Sequence, residues 1–177
     1  ASRDHRFETE ILGQPIVIER LGTDGDTTRA RQLLEELDGK VDALGLGGTD
    51  LYLRAGSRRY LIRETARLVR NVRTTPFVDG GGLKASWERW LITDYLPHRK
   101  GLSFRGRRVL LVSSVDRYGM AEAFTEAGAD VIFGDLIFAL GVPIPLRSLR
   151  SVNILAAILL PVLSRLPPAL YSTRSFT

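Results

Sequence analysis

Lys84 is the side chain best suited to acid–base chemistry in this chain. It is one of three lysines (Lys40, Lys84, Lys100) beside 22 arginines, and a lysine, unlike an arginine, changes protonation state readily when a dry cleft or a carboxylate perturbs it. It closes the stretch Asp79-Gly80-Gly81-Gly82-Leu83-Lys84, so an acid and an amine flank a flexible turn. Two further polar glycine loops carry acids, Thr23-Asp24-Gly25 and Gly47-Gly48-Thr49-Asp50. Loops at the carboxyl ends of parallel strands share one rim of an open α/β sheet, which would bring Asp24, Asp50, Asp79 and Lys84 to one cleft. The candidate catalytic set is Lys84 and Asp79 as the pair that removes a hydroxyl proton, with Asp24. The competing reading is that Asp-Gly pairs make turns on their own account, and that Lys84 is an exposed residue of a first helical turn.

A second constellation begins at Arg107. Val109-Leu110-Leu111-Val112 reads as a strand buried on both faces, Gly119 to Ala127 as a helix, and Ala129 to Phe133 as another strand. That order requires a parallel crossover and outlines half of a mononucleotide-binding fold. A helix N-terminus there would offer amides and positive potential to a phosphate. The loop Ser113-Ser114-Val115-Asp116-Arg117-Tyr118-Gly119 lacks the first two glycines of G-x-G-x-x-G, so hydroxyls of Ser113 and Ser114 and the charge of Arg117 would replace them, with Gly119 beside the helix start. Asp135 ends the second strand, where an acid accepts hydrogen bonds from ribose hydroxyls and favours NAD over NADP; Arg147 and Arg150 downstream could reverse that preference. The candidate cofactor-binding set is Ser113, Ser114, Arg117, Gly119 and Asp135. In the competing reading the unit is structural and Asp116 is a helix cap.

Composition narrows the field. No cysteine among 177 residues excludes disulfides, thiolate zinc sites and cysteine nucleophiles and favours a cytoplasmic setting. Two distant histidines, His5 and His98, predict no metal site. A net charge of +5 favours anionic small molecules, but the arginines are mixed with acids and no nucleic-acid-binding signature accompanies them, so no nucleic acid is expected. Val152 to Leu163 is the most apolar run, too short to span a bilayer, and reads as a helix buried against the body or a second subunit, in a homo-oligomer.

These side chains need positioning elements. Phe7–Leu12 and Pro15–Leu21 predict a hairpin turning at Gly13-Gln14. Helices are expected over Arg29–Leu37, capped by Asp26 or Thr27, over Arg63–Val72, and over Leu83–Leu96 with Trp87 and Trp90 on one side. Short strands fall at Val41–Leu46 and Thr74–Asp79, with a hairpin from Leu51–Leu53 and Arg59–Ile62. Pro97–Gly101 is polar and holds two breakers, which divides the chain into an N-terminal α/β lobe, 1–98, on the substrate side and a Rossmann-like nucleotide-binding lobe, 99–177. Five prolines break the tail into short helical pieces. The fold class is α/β, two-lobed, with a parallel βαβ unit in the C-terminal lobe.

GTDGD at 22 to 26, GLGGTDLYL at 45 to 53, TPFVDGGGLK at 75 to 84 and VSSVDRYGMAEAFTEAGADVIFGDLIFALGVPIPLRSLR at 112 to 150 together resemble bacterial proteins labelled quinate 5-dehydrogenase or quinate/shikimate dehydrogenase-like. The resemblance covers most of the chain, which looks like a partial copy. It implies a two-lobed dehydrogenase that uses NAD or NADP to oxidise a hydroxyl of a cyclic polyol acid. Two other classes stand beside it: a non-catalytic nucleotide- or metabolite-binding module that oligomerises through its tail, and a sugar-nucleotide transferase in which Asp24 or Asp50 binds a divalent ion.

Overall fold

The computed structural model describes residues 4–166. It is a mixed α/β chain with four two-stranded sheets among the described residues, and it divides into two compact units: 1–42 with 68–75, and 43–67 with 76–177.

The first unit opens on a hairpin, β1 (His5–Ile11) and β2 (Gln14–Arg20), antiparallel with Phe7 opposite Ile18. Its turn is Leu12-Gly13, both at positive φ (54° and 77°), one residue earlier than the Gly13-Gln14 turn expected. The cause is twist: a two-residue turn with both central residues left-handed matches the right-handed twist of the flanking strands. α1 (Thr27–Leu37) is capped by Asp26, whose carboxylate accepts from the amides of Thr28 and Arg29 at 2.9 Å each. At its far end Asp38 accepts the amides of Arg73, Thr74 and Thr75 at 2.8, 2.9 and 2.7 Å. These bonds outweigh the opposing effect of burial and hold its carboxyl below the usual range; the backbone bond from Thr75 contributes most.

In the second unit β3 (Leu44–Gly45) pairs in parallel with β6 (Phe77–Val78), and β4 (Tyr52–Ala55) with β5 (Arg58–Leu61) forms a hairpin. α2 (Arg63–Leu68), of which all but Leu68 belong to this unit, is shorter than the helix expected there. α3 (Gly81–Trp90) passes through a π-helical turn (Leu91–Tyr95) into α4 (Leu96–Lys100), so residues 98 and 99, the expected division between lobes, both lie in α4 within this unit. Pro97 lacks the amide that would continue the ladder, and it falls directly after the π-helical turn, where the Leu96 amide already reaches five residues back to the Leu91 carbonyl.

The βαβ unit is present. β7 (Arg108–Leu111) and β8 (Asp130–Phe133) are adjacent and parallel, with α5 (Tyr118–Glu126) between them in sequence. Leu111, Ala121, Val131, Phe133 and Val152 form one buried cluster; Ala55, Tyr118, Ala156 and Leu160 form a second. After α6 (Asp135–Leu140), α7 (Leu149–Leu163) runs as one helix through Pro161 instead of several pieces. Val152, Ala156 and Leu160 recur every four residues on its buried face, while Ile154, Ile158 and Val162 are exposed. No helix among the described residues is long and apolar enough to cross a membrane.

Leu12 is 98% exposed at φ 54°, a conformation that costs a branched residue about 1 kcal/mol. Leu12→Asn should therefore stabilise the hairpin by about that amount. The check is amide exchange across β1 and β2, which should slow; faster exchange would contradict the turn assignment.

Candidate functional site

Asp50 follows β3 and Lys84 lies in the first turn after β6, so the parallel pairing of those two strands brings their carboxyl-terminal loops together. Asp116 comes from the loop after β7. The Lys84 ammonium donates to Asp50 Oδ1 at 2.7 Å and to Asp116 Oδ1 at 2.5 Å, and its side chain is 22% exposed. Arg117 continues the chain of charges. Its Nε lies 3.6 Å from Asp116 Oδ2, and its guanidinium also donates to Glu88 Oε1, one turn along α3 from Lys84. Glu88, Arg117, Asp116, Lys84 and Asp50 thus alternate in sign. Glu88 Oε2 is buried without a partner.

The two carboxyls are driven apart. Burial lifts Asp50 above the ordinary carboxylate range, and its hydrogen bond to the neighbouring Asp116 adds to this against the pull of Lys84. Burial also opposes charge on Asp116, but hydrogen bonds from Lys84 and Asp50 and the charges of Lys84 and Arg117 outweigh it and hold Asp116 low. Lys84 itself is raised, its two carboxylate partners overcoming the burial that works against its charge. The cluster therefore holds two carboxyls whose proton affinities are pushed in opposite directions and an ammonium within hydrogen-bond reach of both. Of the three ammonium hydrogens, two are engaged, which leaves one for an incoming oxygen.

Asp79 is not the partner of Lys84. Its carboxylate accepts the amides of Leu51 at 2.8 Å and Gly81 at 2.9 Å; burial would raise it, but these and further backbone bonds lower it. It clamps the two loops that carry Asp50 and Lys84. Asp24 belongs to the other unit, in the turn before α1 at φ 50°. Sequence reasoning put Asp50 in the cleft with Lys84 but chose Asp79 as its partner and read Asp116 as a cap; the signal it lacked was the pairing of β3 with β6, which accompanies the placement of Asp50 and not Asp79 on the ammonium.

The residues expected to hold a dinucleotide do not fit its pyrophosphate in this arrangement. Ser114 is fully buried; its amide donates to Asp135 Oδ1 at 2.8 Å and its hydroxyl donates to Asp135 Oδ2. Asp135 also accepts the amide of Val115 at 3.1 Å, so its oxygens anchor the loop and are not free for ribose. Ser113 accepts the Arg117 amide through its carbonyl at 3.3 Å, and the Arg117 guanidinium is committed to acids. Gly119 is small for another reason: a β-carbon there would stand 2.7 Å from the Lys84 carbonyl oxygen, so α3 and α5 approach backbone to backbone. Among the described residues no group of three or more His, Cys, Asp or Glu could hold a metal ion.

Removing Lys84 leaves two acids facing each other. Lys84→Met should cost about 1–3 kcal/mol in urea unfolding, and the pair with Asp116→Asn should cost less than the sum of the single changes; additive costs would mean the charges do not interact. The pH profile supplies a second check. Asp116 and Asp79 sit below their ordinary value of 3.8 in the fold, so their stabilisation is present above that pH and is lost as acid titrates them. Asp50 is raised and acts in the opposite sense, favouring the fold below 3.8 and losing that contribution as pH rises through its folded value. Lys84 is raised above 10.5, so its contribution holds below that pH and disappears as alkali passes the folded value. The melting midpoint of Lys84→Met should fall less than that of the parent between pH 10 and 11.5, within about the unit above Lys84's ordinary value; parallel curves would deny Lys84 this role.

Residues 1–79 match the family described as Domain of unknown function (DUF8753), and residues 82–175, more than half of the chain, match Domain of unknown function (DUF8754). No curated protein and no solved structure matches it. The change from one match to the other falls in the turn that enters α3, so Asp50 comes from the first segment while Lys84 and Asp116 come from the second. The chain belongs to the family described as domain of unknown function DUF8754.

Proposed function

We propose that this chain binds a small cyclic polyol acid and moves a proton at one of its hydroxyls with the Lys84 cluster. The observation that carries the reading is the Lys84 ammonium held between two carboxyls of opposed tendency at the ends of parallel strands. The third N–H of Lys84 donates to the substrate oxygen and stabilises negative charge that develops there, and Asp116, the ionised acid, receives the hydroxyl proton. Asp50, the second acceptor of the ammonium, fixes Lys84 in register with Asp116.

The resemblance to quinate/shikimate dehydrogenase-like proteins suggests the substrate class and an oxidoreductase role, with NAD or NADP as hydride acceptor. Ser114, Arg117 and Asp135 are engaged within the fold and do not offer that cofactor a ready site. A second reading is favoured by the exposed stripe Ile154, Ile158 and Val162 on α7: a metabolite-binding module that self-associates and does no chemistry.

Quinate and shikimate, each with NAD or NADP, separate these readings. Either acid should be turned over, and Lys84→Met should lower kcat/KM about a hundredfold or more, the scale expected for loss of a transition-state donor. Calorimetric binding of the polyol acid without turnover would select the second reading. Absence of both binding and turnover would sink the first and leave the polyol acid class without support.

A further inference from the structure

The second unit carries a groove remote from the Lys84 cluster. It is an open groove of about 400 Å³ between the π-helical turn, α4, the loop Gly101–Phe104 and the end of α5. Ile92, Leu102 and Phe104 give it an apolar floor, Thr93 and Ser103 add hydroxyls, and Glu126 closes one side. That volume suits a small ligand that buries a ring. α5 separates the groove from the acid–base cluster: Asp116 lies just before its first turn and Glu126 is its last residue, about 15 Å apart at helical rise.

The chain around the groove is basic. Arg99 and Lys100 stand between the lining residues Pro97 and Gly101, and Arg105 follows the lining residue Phe104. The Arg105 stem lies over Gly128, its Cγ 3.5 Å from where a β-carbon would stand, next to the groove wall at Ala127. All three cations are exposed, and none has an acidic partner among the described residues. No acid occurs from Tyr95 to Val115. Glu126 does not neutralise them, because its carboxylate is held by Arg89.

We propose that this groove binds a ring-bearing phosphate ester, of which a nucleoside monophosphate is the simplest form. The ring occupies the apolar floor while the phosphate meets Arg99, Lys100 and Arg105. A phosphate suits three cations better than a carboxylate does, since it carries nearly two charges at neutral pH and offers three acceptor oxygens to guanidinium forks. The inference stands apart from the proton-transfer reading, because none of its residues belongs to the Lys84 cluster.

Calorimetry at low salt with AMP, adenosine and inorganic phosphate tests it on the full chain. AMP should bind at least tenfold more tightly than adenosine or phosphate alone. The triple variant Arg99→Ala/Lys100→Ala/Arg105→Ala should weaken AMP at least tenfold, and Ala127→Leu, which adds bulk at a lining position and removes no charge, should weaken it as well, both variants retaining the parent's near-ultraviolet circular dichroism. Unchanged AMP affinity in either variant would overturn the site. So would AMP binding no tighter than inorganic phosphate, which would mean a charged surface without a groove, and so would the absence of AMP binding.

Discussion

Three segments distant in sequence meet at the ammonium of Lys84: the loop after β3 through Asp50, the start of α3 through Lys84 itself, and the loop after β7 through Asp116. Charges at such separations attract by several kcal/mol at an effective dielectric near 20, but drying three charged groups cancels much of that gain. The interaction is therefore modest as a source of net stability and strong as a constraint. Any arrangement of these loops that separates the ammonium from its acids leaves partly buried charge uncompensated. The sheets around it are pairs of strands only two to four residues long, so the loops gain little fixed geometry from backbone ladders alone.

The close approach of α3 and α5 depends on a different economy of atoms. Gly119 lets the helix backbones meet where any β-carbon would strike the carbonyls of Lys84 and Ala85, which brings the first turn of α3 alongside the loop that carries Asp116. Tyr118, next to it, is buried and donates to Asn153 Oδ1 of α7 at 2.8 Å, with the Arg54 guanidinium 5.6 Å above its ring. A single dipeptide at the start of α5 thus fixes that helix against α3 on one side and α7 on the other.

How far the sequence could be read follows from which signals are local. The β7–α5–β8 unit was legible because continuous apolar runs and a glycine-ended helix are short-range patterns. The hairpin β1–β2 was legible too, while its turn slipped by one residue because Gly13 draws attention and Leu12 gives no hint of positive φ. The site was legible only as a set of candidates. Lys84 stood out by residue type, yet its partners depend on the parallel register of β3 with β6, two residues long and 33 apart in sequence, Leu44 opposite Phe77. Aspartates look alike on paper. Asp38, Asp79 and Asp135 turn out to accept backbone amides at element ends, whereas Asp50 and Asp116 are bound by a titratable side chain, and that difference in partner separates a loop clamp from a group able to exchange a proton.

The helix α5 also sorts charge along the second unit. Its amino end carries partial positive charge, which suits the ionised Asp116 that precedes it; its carboxyl end carries partial negative charge, which suits the Arg105 stem lying over Gly128. An incoming phosphate at the amino end would meet Asp116 and Asp135 already installed there, so the anion-binding tendency of that end is satisfied by the protein's own carboxylates. At the other end the cations exceed what the last carbonyls and Glu126 can neutralise, since Glu126 is taken by Arg89. The same dipole that favours an acid in the β7–α5 loop thus works against a phosphate in that loop, and it leaves the basic excess of this unit at the opposite end of the helix.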